Sequence, residues 1–155
     1  RFLHAVRLSC LLLVIALLIL AALSDLRRRR IPNDLSLAIA VLALPYGLAS
    51  GWQLSPDMAM HIVAACALGA ILLGGFCFGV VGGGDVKLMA ALGLWLSPRM
   101  AIDALLITAI MGAVVALLIL RRYRFRLSRP SVPYAVAIAM AGIAELAPSL
   151  AQLLA

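Results

Sequence analysis

The sequence predicts an all-α, polytopic integral membrane protein of about six transmembrane helices, folded as a single domain over residues 1–155. Three observations predict it. Of the 155 residues, 66% belong to the apolar set of Ala, Val, Ile, Leu, Met, Phe, Trp, Tyr and Cys, against about 45–50% in soluble domains. These residues fall into successive long runs, and the positive charges gather in the short stretches between two pairs of those runs. A soluble fold of this size has too much surface to hide so many apolar side chains in one core. A water-soluble enzyme, a disordered tail and a secreted disulfide scaffold are thereby excluded.

The runs can be taken in order. The first, Val6 to Ser24, contains one charge, Arg7, and is long enough to span. It begins near basic residues as a signal peptide does, but it is too long, lacks a small-residue cleavage pattern and is followed by four arginines. The second, Leu35 to Ser50, carries Pro45 as an expected kink. The third, Met58 to Val81, is the longest. The fourth, Val86 to Leu96, is short and interrupted by Lys87. The fifth is Met100 to Leu120, and the sixth runs from Ser131 to about Leu150. The chain opens on Arg1 rather than Met, so a few preceding residues are expected.

The charges orient these runs. There are 13 Lys and Arg against 6 Asp and Glu, a net charge of +7. In a membrane chain this excess reads as topology before it reads as a nucleic-acid surface, and no nucleic-acid partner is expected. Arg27, Arg28, Arg29 and Arg30 lie between the first and second runs. Arg121, Arg122, Arg124, Arg126 and Arg129 lie between the fifth and sixth. Both clusters are cytoplasmic if all six runs cross. With Lys87 that puts ten positive charges inside, and Arg1, Arg7 and Arg99 make three outside. Both termini then lie outside the cytoplasm.

The fourth run is the informative one. From Val86 to Pro98 a helix covers about 20 Å of a hydrocarbon layer roughly 30 Å thick. With its outer end near Pro98, its inner end should fall short of the cytoplasmic boundary, leaving Asp85 in a dip. Glycine-rich backbone at that depth is tolerated only under protein cover or beside a wet cavity. A cavity is therefore expected at Asp85.

Most of the remaining polar residues have ordinary readings. Cys10, Cys66 and Cys77 lie in apolar runs without metal-ligand spacing and read as buried free thiols. Asp57, His61, Asp103 and Glu145 lie toward the outer ends of spans and read as interfacial or helix-end groups. Asn33 and Asp34 stand where either could cap the second helix.

Two acids are left, Asp25 and Asp85, both on the cytoplasmic side. Each has a structural reading of its own: Asp25 a salt bridge to Arg27, Arg28 or Arg29, and Asp85 an N-cap on the fourth helix. As a pair they suggest more. Two carboxylates sharing one proton supply a general base to activate water and a general acid to protonate a leaving amine, the chemistry of peptide hydrolysis. No cofactor or metal is called for. Gly82, Gly83 and Gly84 let the backbone turn sharply and let an extended substrate lie close to Asp85. Gly75, Gly79 and Gly83, spaced by four, also suit close packing of the third helix on a neighbour. A small proton-coupled transporter and a non-catalytic assembly factor of a secretion system are the rival readings. A transporter should carry acids nearer mid-membrane and often an internal repeat, which is not seen here.

The Gly82–Asp85 Gly-x-Gly-Asp stretch, continued by Val86-Lys87-Leu88, resembles the signature of type IV prepilin peptidases, members of the GxGD intramembrane aspartic proteases. Ser24-Asp25-Leu26 through Ile31-Pro32-Asn33 resembles the family's other catalytic region, and Val132-Pro133-Tyr134 is a weaker likeness. The resemblance covers nearly the whole chain. It implies an aspartic endopeptidase that removes the basic leader from type IV prepilin or pseudopilin precursors, at the cytoplasmic face of a bacterial inner membrane. The catalytic pair would be Asp25 and Asp85. Gly82, Gly83 and Gly84 would be site backbone, with Lys87 beside them. Membrane lipid and pilus or secretion assembly components are the other implied partners. Larger family members carry a cytoplasmic insertion with paired C-x-x-C motifs belonging to an N-methylating domain. Here the first loop is short and free of cysteine, so the implied enzyme is a peptidase only, as in Flp/Tad-type pilus systems.

Overall fold

The described residues fold into six helices, α1 (Phe2–Arg28), α2 (Asn33–Ala49), α3 (Asp57–Cys77), α4 (Gly83–Gly93), α5 (Pro98–Arg122) and α6 (Tyr134–Leu154). The structure is a computed structural model and describes residues 1–52, 56–122 and 134–155. Arg124, Arg126, Arg129, Val132 and Pro133 lie outside the described residues. Four helices, α1, α3, α5 and α6, are long and apolar enough to cross a bilayer; α2, with 17 residues, is shorter. α4 has 11 residues, about 16 Å of helix and roughly half the hydrocarbon thickness.

α4 is the hub. It packs on α2, α3 and α6, while α1 packs on α2 and α6, and α5 on α3 and α6. Leu88, Met89 and Leu92 of α4 are fully buried, as are Leu11, Val14, Leu18 and Ala21 along one stripe of α1. That spacing keeps one helical face inward. The interior is rich in alanine, including Ala64, Ala91, Ala104, Ala135 and Ala141, whereas Leu20, Val63, Ile110 and Leu117 point outward. Many small residues among the buried leucines, with further large apolar side chains facing outward, is the distribution expected when the surroundings are lipid.

The third run ends earlier than its hydropathy suggests. Val80 N–H bonds Gly75 O at 2.9 Å and Gly79 N–H bonds Phe76 O at 2.9 Å, with Gly79 at φ +70°. This is a Schellman stop, which needs a residue free to adopt positive φ. Gly79 is thus a helix terminator, and the four-residue glycine spacing is not a packing stripe. Close α3–α4 packing uses other residues. A Cβ on Gly93 would lie 2.5 Å from Ala65 Cα, and one on Gly69 would meet Ala90 Cβ at 3.2 Å.

These contacts also place the shortfall of α4. Gly93 lies against Ala65, eight residues into α3, whereas Val81 and the start of α4 lie against the last turns of α3. The missing length is therefore at the end remote from Asp85, not beside it as the charge-based topology suggested. Aromatic rings occupy that end. Trp95 donates its Nε1–H to Ile39 O at 2.8 Å, Tyr46 lies 4.9 Å from Trp95, and Trp52 stacks on His61 at 3.8 Å. His61 is in the second turn of α3 and is held there by this stacking.

Two further expectations are corrected. Cys10 is buried, but Cys66 and Cys77 are exposed on α3. Neither Asn33 nor Asp34 caps α2: Pro32 is the N-cap residue, without a side-chain capping bond. Asn33 is used elsewhere, as described below.

The packing makes a paired prediction. Gly93→Val drives a side chain into the α3 backbone, which should cost about 1–3 kcal/mol of overpacking and lower the melting temperature in detergent. Gly74→Ala, on the open side of α3, should be neutral or raise stability by up to about 1 kcal/mol. Equal losses in the two variants would contradict the α3–α4 contact.

Candidate active site

The site is assembled from two turns that are distant in sequence. The first ends α1. Arg29 adopts the left-handed conformation, φ 52° and ψ 34°, and its N–H bonds Asp25 O at 2.9 Å. That geometry is unusual for a residue with a Cβ, and it stops the helix one turn after Asp25. The Ser24 hydroxyl donates to Arg30 O at 2.8 Å and holds the turn. Pro32 then excludes continuation of the helix, and α2 begins at Asn33.

The second turn starts α4. Gly82 is the N-cap, in extended conformation, and Asp85 is the third helical residue. Gly82 N–H donates to Asp85 Oδ2 at 3.2 Å, the acidic half of a capping box. Asp85 is therefore not the N-cap itself. One of its oxygens serves the helix terminus; the other, Oδ1, is buried without a hydrogen-bond partner.

The two turns pack on each other. A Cβ on Gly84 would come within 3.1 Å of Ile31 Cβ, so the Ile31 side chain rests on bare backbone. Beside this contact, Lys87 Nζ donates to Asn33 Oδ1 at 3.1 Å and ties α4 to α2. A Cβ on Gly82 would meet Asp85 Oδ2 at 3.0 Å. Glycine at positions 82 and 84 thus permits these close approaches within the chain, a use distinct from the room for an extended substrate expected from the sequence. Gly83 is less constrained, since its nearest neighbour would be the Phe76 ring at 3.5 Å.

Asp25 and Asp85 both line the cavity that results, about 550 Å³ in volume, together with Gly82, Gly83, Gly84 and Lys87. All six site residues expected from the sequence therefore meet in one place. Asp25 is 8% exposed and Asp85 6%, and Asp85 lies within the field of Asp25. Asp25 accepts a hydrogen bond from the Ala135 backbone N–H, in the first turn of α6, with Arg29 close by. Its Oδ2, like Asp85 Oδ1, has no partner. Among the described residues, no three His, Cys, Asp or Glu side chains converge to hold a metal ion.

Other cavity-lining residues were not singled out as site residues from the sequence. Arg29 and Arg30 border the cavity, as do Ile31 and Asn33. The arginines read as topology signals, and Asn33 as a cap. The Ala135 N–H carries no side-chain signal at all. Buried carboxylates with free oxygens, converging from separate helices on a polar cavity, can hold a water and pass protons to and from it.

The arrangement agrees with similarity to known proteins. Residues 12–117 match the family model described as the type IV leader peptidase family. Over 133 residues the chain is 32% identical to the prepilin leader peptidase/N-methyltransferase of Bacillus subtilis (strain 168). The match covers 83% of this chain and 51% of that protein, so the chain spans about half the length of its relative. No solved structure matches the chain.

The contact between the two turns is open to test. Gly84→Val should displace Ile31, and Asn33→Leu should leave Lys87 without its side-chain acceptor. Each should lower the activity of the site at least tenfold, with the helical circular dichroism retained. Unchanged activity in Gly84→Val would show that the turns need not touch.

Proposed function

The chain belongs to the type IV leader peptidase family, and from that premise we propose that it is an aspartic endopeptidase that removes the basic leader of prepilin-type precursors. The observation that carries this reading is the convergence of Asp25 and Asp85, from separate helices, on one cavity, each with an oxygen left free.

In the proposed reaction, a water held between the carboxylates is deprotonated by the ionised one, and its oxygen attacks the scissile carbonyl carbon. The protonated partner supports the developing oxyanion and then gives its proton to the amide nitrogen as the C–N bond breaks. The products are the leader's new carboxyl terminus and the mature protein's new amino terminus. The proton taken from water replaces the one delivered, so the pair returns to its starting state without a cofactor. Gly82, Gly83 and Gly84 leave room beside Asp85 for an extended main chain, and Lys87 holds the α4 start to α2.

Position favours this reading over a proton-coupled transporter. Asp25 is in the last turn of α1 and Asp85 in the first turn of α4, at one end of the bundle rather than midway. Arg27 and Arg28 close α1 at that end, with Arg29 and Arg30 following. The family and the several long apolar helices mark a multi-pass membrane protein. The excess of positive charge supports a cytoplasmic orientation for the cavity, in a bacterial inner membrane. The α1–α2 connection is four residues, Arg29 to Pro32, too short for a methylating domain at that point in the chain. Lipid and pilus or secretion assembly components are the further partners proposed.

In liposomes with a precursor of basic leader and apolar helix, Asp25→Asn and Asp85→Asn should each lower cleavage at least 10³-fold while membrane insertion and thermal stability persist. The wild-type kcat/KM should be bell-shaped in pH: acid protonates the base, and alkali removes the proton the acid must deliver. Full cleavage by both single variants would end the proposal. Proton flux without cleavage would favour a transporter.

A further inference from the structure

We propose that the groove between α2, α3 and α4 seats the precursor's own apolar helix, the segment that follows the scissile bond. The inference rests on the peptidase reading above. The groove, about 630 Å³ in volume, opens from the catalytic cavity, since Asn33 and Lys87 line both. Farther on, Ala40 and Leu94 carry it into an apolar hollow of about 320 Å³. α4 forms the floor of this groove, through Lys87, Ala90 and Ala91, and packs on both α2 and α3, which form its walls.

Two features of the groove suit a peptide helix. Its walls include Ala40, Ala65, Gly69 and Ala90, small residues that admit a helix backbone at close range. It also holds a buried hydroxyl. Ser36 is 7% exposed, lines the groove, and has no hydrogen-bond partner for its Oγ. A helical serine commonly returns its hydroxyl to its own backbone, and an unpaired hydroxyl is costly away from water. An acyl chain cannot pair with it. The first turn of a substrate helix can, once a turn about the Ser36 Cα–Cβ bond swings the covered Oγ into the groove, because its N–H groups have no partners within the helix. Ser36 is three residues beyond Asn33, so it sits where that first turn would emerge from the cavity.

The geometry sets a register. Gly69 faces Ala90 in the antiparallel α3–α4 pair, which places Asp85 level with residue 74. Cys66 lines the same groove and lies about 12 Å deeper, about eight helical residues past the scissile bond. It is also exposed, whereas Cys10 is buried.

The experiment uses this thiol in the full chain carrying Cys77→Ser with Asp85→Asn, and in parallel with Asp25→Asn in case one variant fails to fold. Each is reconstituted with precursors bearing single cysteines along the apolar helix and is mildly oxidised. Disulfides should peak about eight residues past the scissile bond, recur every three to four residues, and be suppressed by excess cysteine-free precursor. No disulfide, or bonds at every position without helical period, as from a groove filled by lipid, would overturn the inference. Cleavage by the wild-type chain is scored separately. Cleavage without crosslinks removes the groove and keeps the peptidase; specific crosslinks without cleavage do the reverse.

Discussion

The contact between Ile31 and the bare backbone of Gly84 is the constraint on which the site depends. Asp25 and Asp85 are far apart in sequence and belong to helices that are not neighbours in chain order. Each is fixed within its own turn, one by the left-handed stop at Arg29 and the other by the Gly82 N–H. Local structure orients each acid but cannot bring the two together. The turns must pack on each other, and a side chain at position 84 would hold them apart. The Lys87–Asn33 hydrogen bond braces the same approach from α4 to α2.

Burial then gives the pair its chemical character. Removing a carboxylate from water is costly unless it is paired or hydrogen-bonded. Each acid here receives one backbone N–H, from Ala135 for Asp25 and Gly82 for Asp85, and each keeps one oxygen free. Helix N-termini supply both donors, and the Arg29 side chain adds a charge close to Asp25. The short α4 contributes on a larger scale. It brings a helix start to the cavity, and its outward face forms the floor of the groove between α2 and α3.

Much of this was legible in the sequence, and the exceptions have physical reasons. Composition and the arginine clusters were enough for an all-helical membrane protein, because so few charges in so apolar a chain must mark its ends. The pairing of Asp25 with Asp85 followed from elimination among six acids and from the motifs around them. The spacing of Gly75, Gly79 and Gly83 misled, since a four-residue interval looks alike whether the helix continues or stops, and only the φ of Gly79 decides it. Cys66 and Cys77 read as buried because an apolar run does not reveal which face meets lipid. Asn33 read as a cap because its partner, Lys87, is 54 residues away. The Ala135 N–H could not be read at all, since any residue at that position would provide it.

The central claim is that Asp25 and Asp85 act as one titrating unit. It is tested most directly by infrared difference spectroscopy of the carboxyl bands in lipid, assigned through the single Asn variants. Replacing either aspartate should change the titration of the other, as interacting sites require. If each aspartate titrates identically whether or not the other is present, the two carboxylates do not share a proton, and the account of this site is wrong.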